Sequence, residues 1–120
     1  MCHVLIIEDE PLIADIISDI LAISGATSFD IAPTQQQAVE LAALNRPAVI
    51  TSDVRLREGR GPLAVDEIHD SCGAIPTIFI TAIPDECASC DHAVEIISKP
   101  FTCQALQQAF AKAQAAGMGI

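Results

Sequence analysis

The run Val4 to Ile7 is apolar at every position, and it stops against Glu8, Asp9 and Glu10. A strand with no polar alternation has to be covered on both faces, which is the condition inside a parallel sheet layered with helices. Ala48 to Thr51, Thr77 to Ile80 and Val94 to Ile97 repeat the pattern, and Thr27 to Ile31 is a weaker version of it. Helical spacing fills the intervals between them. Strand and helix therefore alternate from end to end, which predicts an α/β fold with helices on both faces of one sheet.

The helices carry their own signals. From Pro11 to Ser24, Leu12, Ile13, Ile16, Ile17, Ile20, Leu21 and Ile23 recur at helical spacing, and Gly25 closes the segment. Thr34 and Gln37 have capping-box spacing at the head of a helix running to Leu44, and Pro47 punctuates its exit. A loop rich in Gly and Arg spans Arg55 to Gly61, followed by a short helix from Leu63 to His69. Pro76 opens the fourth strand, and Thr81 stands at its carboxyl end before a loop containing Pro84. Asp85 to His92 makes a short, poor fourth helix. The last helix runs from Thr102 to Ala115, with Ala105, Leu106, Ala109, Phe110 and Ala113 on its apolar face.

A chain of 120 residues fits one domain, residues 1–120, with no output domain. Aromatics are 3% of it, so its core is expected to be Ile, Leu, Val and Ala. The formal charge of −10 repels phosphate backbones and anionic membranes, which argues against direct nucleic-acid binding. No run approaches the ~20 apolar residues that span a bilayer, and the start lacks a secretion pattern, so the expected location is cytoplasmic without membrane insertion. Five cysteines without an export signal read as reduced thiols. Cys87-x-x-Cys90 with His92 has half of a zinc pattern, to which His69 and Cys72 could add, but small apolar filling is the stronger reading.

In an open parallel sheet, ligands bind outside the carboxyl ends of the strands, near the point where strand order reverses. The polar residues collect at those ends: Glu8 and Asp9 after the first strand, Asp53 after the third, Thr81 at the fourth, Lys99 at the fifth. Each has a bland reading alone, Asp53 as a solvated carboxylate, Lys99 as a surface lysine, Thr81 as an ordinary strand residue. Together they are chemically specific. Three carboxylates at close range need a hard divalent cation, Mg²⁺ or Mn²⁺. An ionised Asp can attack phosphorus when the charge on the transferring oxygens is neutralised, and Lys99 and the Thr81 hydroxyl suit that task.

Ile6-Ile7-Glu8-Asp9-Glu10-Pro11, Thr51-Ser52-Asp53-Val54-Arg55-Leu56, Phe79-Ile80-Thr81-Ala82 and Ser98-Lys99-Pro100-Phe101 closely resemble, in this order, the receiver domain of two-component response regulators. The resemblance implies a five-stranded flavodoxin-like sheet of order 2-1-3-4-5. It implies Asp53 as phosphoacceptor from a sensor histidine kinase or histidine phosphotransferase, with Glu8, Asp9, Asp53 and the backbone carbonyl of Arg55 holding the metal. It also implies Lys99 followed by a cis bond to Pro100, Thr81 as the switching hydroxyl, slow self-dephosphorylation, a downstream protein target and weak homodimerisation.

The chain departs from that family in two places. Ile96 occupies the position where the family usually has an aromatic switch residue, so a switch here runs through Thr81 and the backbone. The short interval between Thr81 and Lys99, with Asp91-His92-Ala93 in place of the usual small pair, implies a shortened or distorted fourth helix. Pro84 after Thr81-Ala82-Ile83 resembles a subset of receivers in alphaproteobacterial signalling. Two other functions compete. A degenerate receiver would act as a phosphorylation-independent interaction module. A dehalogenase-like phosphatase wants a second carboxylate two residues after the nucleophile, and Arg55 stands there.

Overall fold

In the computed structural model, which describes residues 2–82 and 93–118, β1 (His3–Ile7) lies inside the sheet between β2 (Ser28–Ala32) and β3 (Val49–Ser52). β4 (Thr77–Thr81) follows β3, and β5 (Ala93–Ser98) forms the far edge, all in parallel, giving the order β2-β1-β3-β4-β5. The register aligns Ile7 with Ser52, Ser52 with Phe79 and Thr81 with Ser98, so the strands that precede the polar residues finish at nearly one level.

Helices α1 (Pro11–Ile23) and α4 (Cys103–Met118) cover one face, and α2 (Gln35–Leu44) and α3 (Gly61–Cys72) cover the other. Alternation along the strands sorts the core accordingly. Val4, Ile6, Val49, Ile78 and Ile80 pack with Ala14, Ile17, Leu21, Leu106 and Phe110. Leu5, Ile7, Ile50 and Phe79 pack with Ala38, Ala42, Ala64, Val65 and Ile68. Fully burying a side chain of the Leu or Ile class contributes about 1.5–3 kcal/mol, so these two layers are the main source of stability.

Several details differ from the sequence expectations. Phe79 and Phe110 are both buried, so the core is not aliphatic alone. α3 is longer than Leu63 to His69, because Gly61-Pro62 starts it directly on the end of β3, with proline's fixed φ suited to the first turn. On α1 only Ala14, Ile17 and Leu21 are buried, while Leu12, Ile16 and Ile23 are exposed, because the helix has more apolar positions than one buried stripe can take. Ile96, expected as a buried-type residue, is 40% exposed, since β5 is an edge strand. Thr34 caps α2 by accepting from the Gln37 N–H at 3.1 Å, and Ala26 and Gly25 donate back to Leu21 and Ala22 to close α1. The expected fourth helix from Asp85 to His92, with Pro84, Cys87 and Cys90, lies outside the described residues. His69, weighed as an accessory zinc ligand, has its ring Nε2 3.1 Å from the Ile75 carbonyl. No described helix is long and apolar enough to cross a membrane.

Candidate functional site

Each polar residue at the carboxyl edge is held by the strand that delivers it. β1 runs out at Ile7, and the backbone N–H of Glu8 donates to the Ala32 carbonyl at 3.0 Å, which extends the pairing with β2 by one residue. β3 does the same on the other side, where the Asp53 N–H donates to the Ile7 carbonyl at 2.9 Å. Glu8 and Asp53 are therefore fixed by sheet hydrogen bonds rather than by loop geometry. Lys99 follows β5, and its N–H donates to the Thr81 carbonyl at 2.8 Å. The Lys99–Pro100 peptide bond is cis.

The side chains converge. Lys99 Nζ donates to Glu8 Oε1 and to Asp53 Oδ2, each at 2.9 Å. Glu8 Oε2 accepts from the Glu10 N–H at 3.2 Å, and Asp53 Oδ1 from the Val54 N–H at 2.7 Å. Asp9 Oδ2 accepts from the Arg57 N–H at 2.7 Å, which ties the acidic pair to the loop after Asp53. Glu8, Asp9 and Asp53 each offer a carboxylate oxygen within 4.8 Å of the other two. Thr81 is fully buried at the end of β4, next to Lys99 through the backbone. Arg55 lies in the exposed loop and pairs with Arg60 in a single antiparallel bridge.

Burial decides the electrostatics. Side-chain exposure is 1% for Glu8, 14% for Asp53 and 16% for Lys99. Burial raises the Glu8 carboxyl above its ordinary range against the opposing hydrogen bond and charge of Lys99, and the charge on Asp53 adds to the rise. For Lys99, burial alone would lower the ammonium. Hydrogen bonds and charge from Asp53 and Glu8 outweigh it, and the net direction is upward, so Lys99 stays cationic at neutral pH. Among the described residues, three carboxylates gather around the one Lys99 ammonium, an excess of negative charge. The donors are hard oxygens, which fits a divalent cation of the Mg²⁺ class.

Three neighbours have roles at the site that the sequence motifs do not announce. Ser52 Oγ donates to the Asp53 carbonyl at 2.8 Å and braces the turn. Gly61 donates its N–H to the Val54 carbonyl at 3.0 Å, and a Cβ built there would collide with the Asp53 backbone and Ser52 Oγ. Only glycine lets α3 start that close to Asp53. The backbone N–H of Arg57 is the third, a main-chain donor that no side-chain pattern announces.

Residues 4–111 match the response regulator receiver domain. The phyllosphere-induced regulator PhyR of Methylorubrum extorquens is 35% identical over 104 residues, covering 82% of this chain and 38% of that protein. The solution structure of the PhyR receiver domain of Erythrobacter litoralis is similar at a TM-score of 0.85 and 31% identity, over 93% of this chain and 88% of that one. A variant of the anti-anti-sigma factor PhyR from Bartonella quintana is similar at 0.86 and 30% identity, over 99% of this chain and 50% of that one. The chain thus spans well under half of the Methylorubrum regulator and half of the Bartonella protein.

Proposed function

The chain belongs to the receiver domains of response regulators, and from that premise we propose that it carries a phosphoryl group on Asp53 and signals the change to protein partners. The observation that carries this reading is the setting of Asp53, 2.9 Å from the Lys99 ammonium and within 4.8 Å of the Glu8 and Asp9 oxygens. Residues 1–120 act in it as one receiver unit.

In the transfer, a carboxylate oxygen of Asp53 bonds to phosphorus while the bond from phosphorus to the partner's imidazole nitrogen breaks, and the electron pair stays on the imidazole. Glu8, Asp9 and Asp53, with the Arg55 carbonyl, would hold Mg²⁺ or Mn²⁺, which when bound screens the negative charge of the phosphoryl oxygens. Lys99 already faces Asp53 and can follow the charge onto the phosphoryl group without giving up a proton. Thr81 supplies a hydroxyl donor from the end of β4, and its carbonyl bond to the Lys99 N–H makes the two residues move together. With Ile96 in the usual aromatic position, the surface change runs through this Thr81–Lys99 backbone link.

The phosphoryl donor is a histidine kinase or histidine phosphotransferase. The exposed Leu12 and Ile16 on α1, which begins two residues after Asp9, give such a protein an apolar footing beside the site. The output is a protein target rather than a nucleic acid, in keeping with the −10 charge and with a relative that is an anti-anti-sigma factor. Turnover is limited to slow hydrolysis of the chain's own acyl phosphate, so the domain is a regulator and not an enzyme.

The test is intact mass after incubation with acetyl phosphate or phosphoramidate, with and without Mg²⁺, on wild type and Asp53→Asn. The expected result is a metal-dependent phosphoryl adduct that the variant lacks. A folded wild type that takes no adduct would replace this reading with a phosphorylation-independent interaction module.

A further inference from the structure

The loop that follows Asp53 is a small hairpin clasped from two sides. Arg55 and Arg60 pair across it, and the Leu56 N–H donates to the Gly59 carbonyl at 3.3 Å. On the inner side, the Arg57 N–H donates to Asp9 Oδ2 at 2.7 Å. On the outer side, both contacts go to one residue, Gln35, the first of α2. The Gln35 N–H donates to the Glu58 carbonyl at 3.1 Å, and Gln35 Oε1 accepts from the Arg60 N–H at 3.0 Å. Between those two bonds stands Gly59 at φ +97°, packed so closely on the Gln35 side chain that a Cβ there would collide with it.

The first N–H groups of a helix have no partner within the helix, so a nearby carbonyl that accepts one costs α2 nothing. The side-chain oxygen is a different matter. It satisfies a main-chain donor of a neighbouring loop, one whose residues Arg57 to Arg60 are exposed while Leu56 packs on the core. From these contacts we infer that Gln35 is a positioning residue for the site. It clamps the outer arm of the hairpin, and the inner arm thereby presents the Arg57 N–H to Asp9 and the Arg55 carbonyl to the cation. This rests on the receiver reading above for its consequence, but not for its geometry. It also makes the head of α2 a second place, besides β4 and β5, where a change at Asp53 reaches the surface.

Two variants separate the clamp from simple helix stability. Gln35→Met keeps length and helix preference but removes the acceptor. Gln35→Glu keeps an acceptor oxygen and suits the first turn of a helix. The first readout is hydrogen exchange at the Arg57 amide without metal, a group that Gln35 does not touch. Faster Arg57 exchange in Gln35→Met, restored in Gln35→Glu with the melting temperature of both near wild type, supports the clamp. Equal Arg57 exchange in wild type and Gln35→Met overturns it. The second readout is Mg²⁺ affinity by calorimetry, where Gln35→Met should bind about three- to tenfold more weakly, less than the ~10–100-fold that partners bonded directly to a ligand contribute, because Gln35 acts one step further out. If wild type binds no Mg²⁺, the metal reading falls, and the Arg57 exchange still decides the clamp.

Discussion

The two ends of the sheet handle charge in opposite ways. At the amino end, His3 bridges β1 and β2, with Nδ1 2.8 Å from Ser28 Oγ and Nε2 2.9 Å from Asp30 Oδ2. Arg46 donates from Nε to the Cys72 carbonyl at 3.0 Å and from Nη2 to the Ala74 carbonyl at 3.4 Å, capping the end of α3. Each of these groups has found partners that suit it, and the arrangement is complete. At the carboxyl end, among the described residues, three carboxylates, one buried and two partly buried, gather around one ammonium. A protein assembled for stability alone would not leave it so. The difference teaches where function sits, because an arrangement that is electrostatically unfinished is one that a ligand completes.

The largest effect should come from the one position where backbone meets backbone at the functional end. Gly61→Ala puts a methyl group into the Asp53 backbone, which cannot swing aside, and against Ser52 Oγ. The expected cost is about 3 kcal/mol, read by urea unfolding, with Mg²⁺ binding weakened in whatever folded protein remains.

A paired substitution then tests the charge argument. Neutralising a carboxylate should have opposite signs at the two ends. Asp30→Asn removes the carboxylate that His3 Nε2 meets at 2.9 Å and should cost about 0.5 kcal/mol, since Asp30 is partly exposed. Glu8→Gln should leave metal-free stability unchanged or raise it by up to about 1 kcal/mol, while weakening Mg²⁺ binding about tenfold or more. The pH dependence follows the same sign. Because burial raises Glu8 in the folded state, its contribution is most favourable below the ordinary value of 4.5 and declines as pH rises through the higher folded value. Wild type without metal should therefore lose some stability over that window, and Glu8→Gln should not. Mg²⁺ should cancel the loss. Equal signs for the two substitutions in the absence of metal would break the comparison.

The parts of this structure that were legible in the sequence are those written in hydrophobic period and in strand-end chemistry. Val4 to Ile7 and Thr77 to Ile80 are buried strands because nothing else accommodates so many adjacent branched residues, and the order of the sheet follows from the resemblance they help to carry. The convergence of Glu8, Asp9, Asp53 and Lys99 was legible because all four sit at strand ends, where sheet register fixes the backbone. What was not legible depends on main-chain geometry or on competition for space. The length of α3 and the role of Gly61 require knowing how close the helix comes to Asp53. Gln35 reads only as a polar residue after a cap. On α1, seven apolar residues looked like one face, but a helix on a sheet buries only a stripe, and Leu12, Ile16 and Ile23 fell outside it.

The smallest expected effect concerns where the functional end stops. Thr51 lies two residues before Asp53, 1% exposed, and its Oγ1 is a buried hydroxyl without a hydrogen-bond partner among the described residues. Alternation along β3 puts it on the same face as Val49, toward α1 and α4, and so on the face opposite Ser52. A buried hydroxyl that makes no hydrogen bond forfeits its hydration without return, so an isosteric methyl in its place should be favoured. Thr51→Val is expected to raise stability by about 1 kcal/mol in urea unfolding and to leave Mg²⁺ affinity and the Asp53 adduct unchanged. That outcome would confine the unfinished electrostatics to the residues at the very end of the strands. A gain in stability accompanied by slower adduct formation would move the boundary down β3, and would mean that the orphaned hydroxyl belongs to the switch rather than to the core.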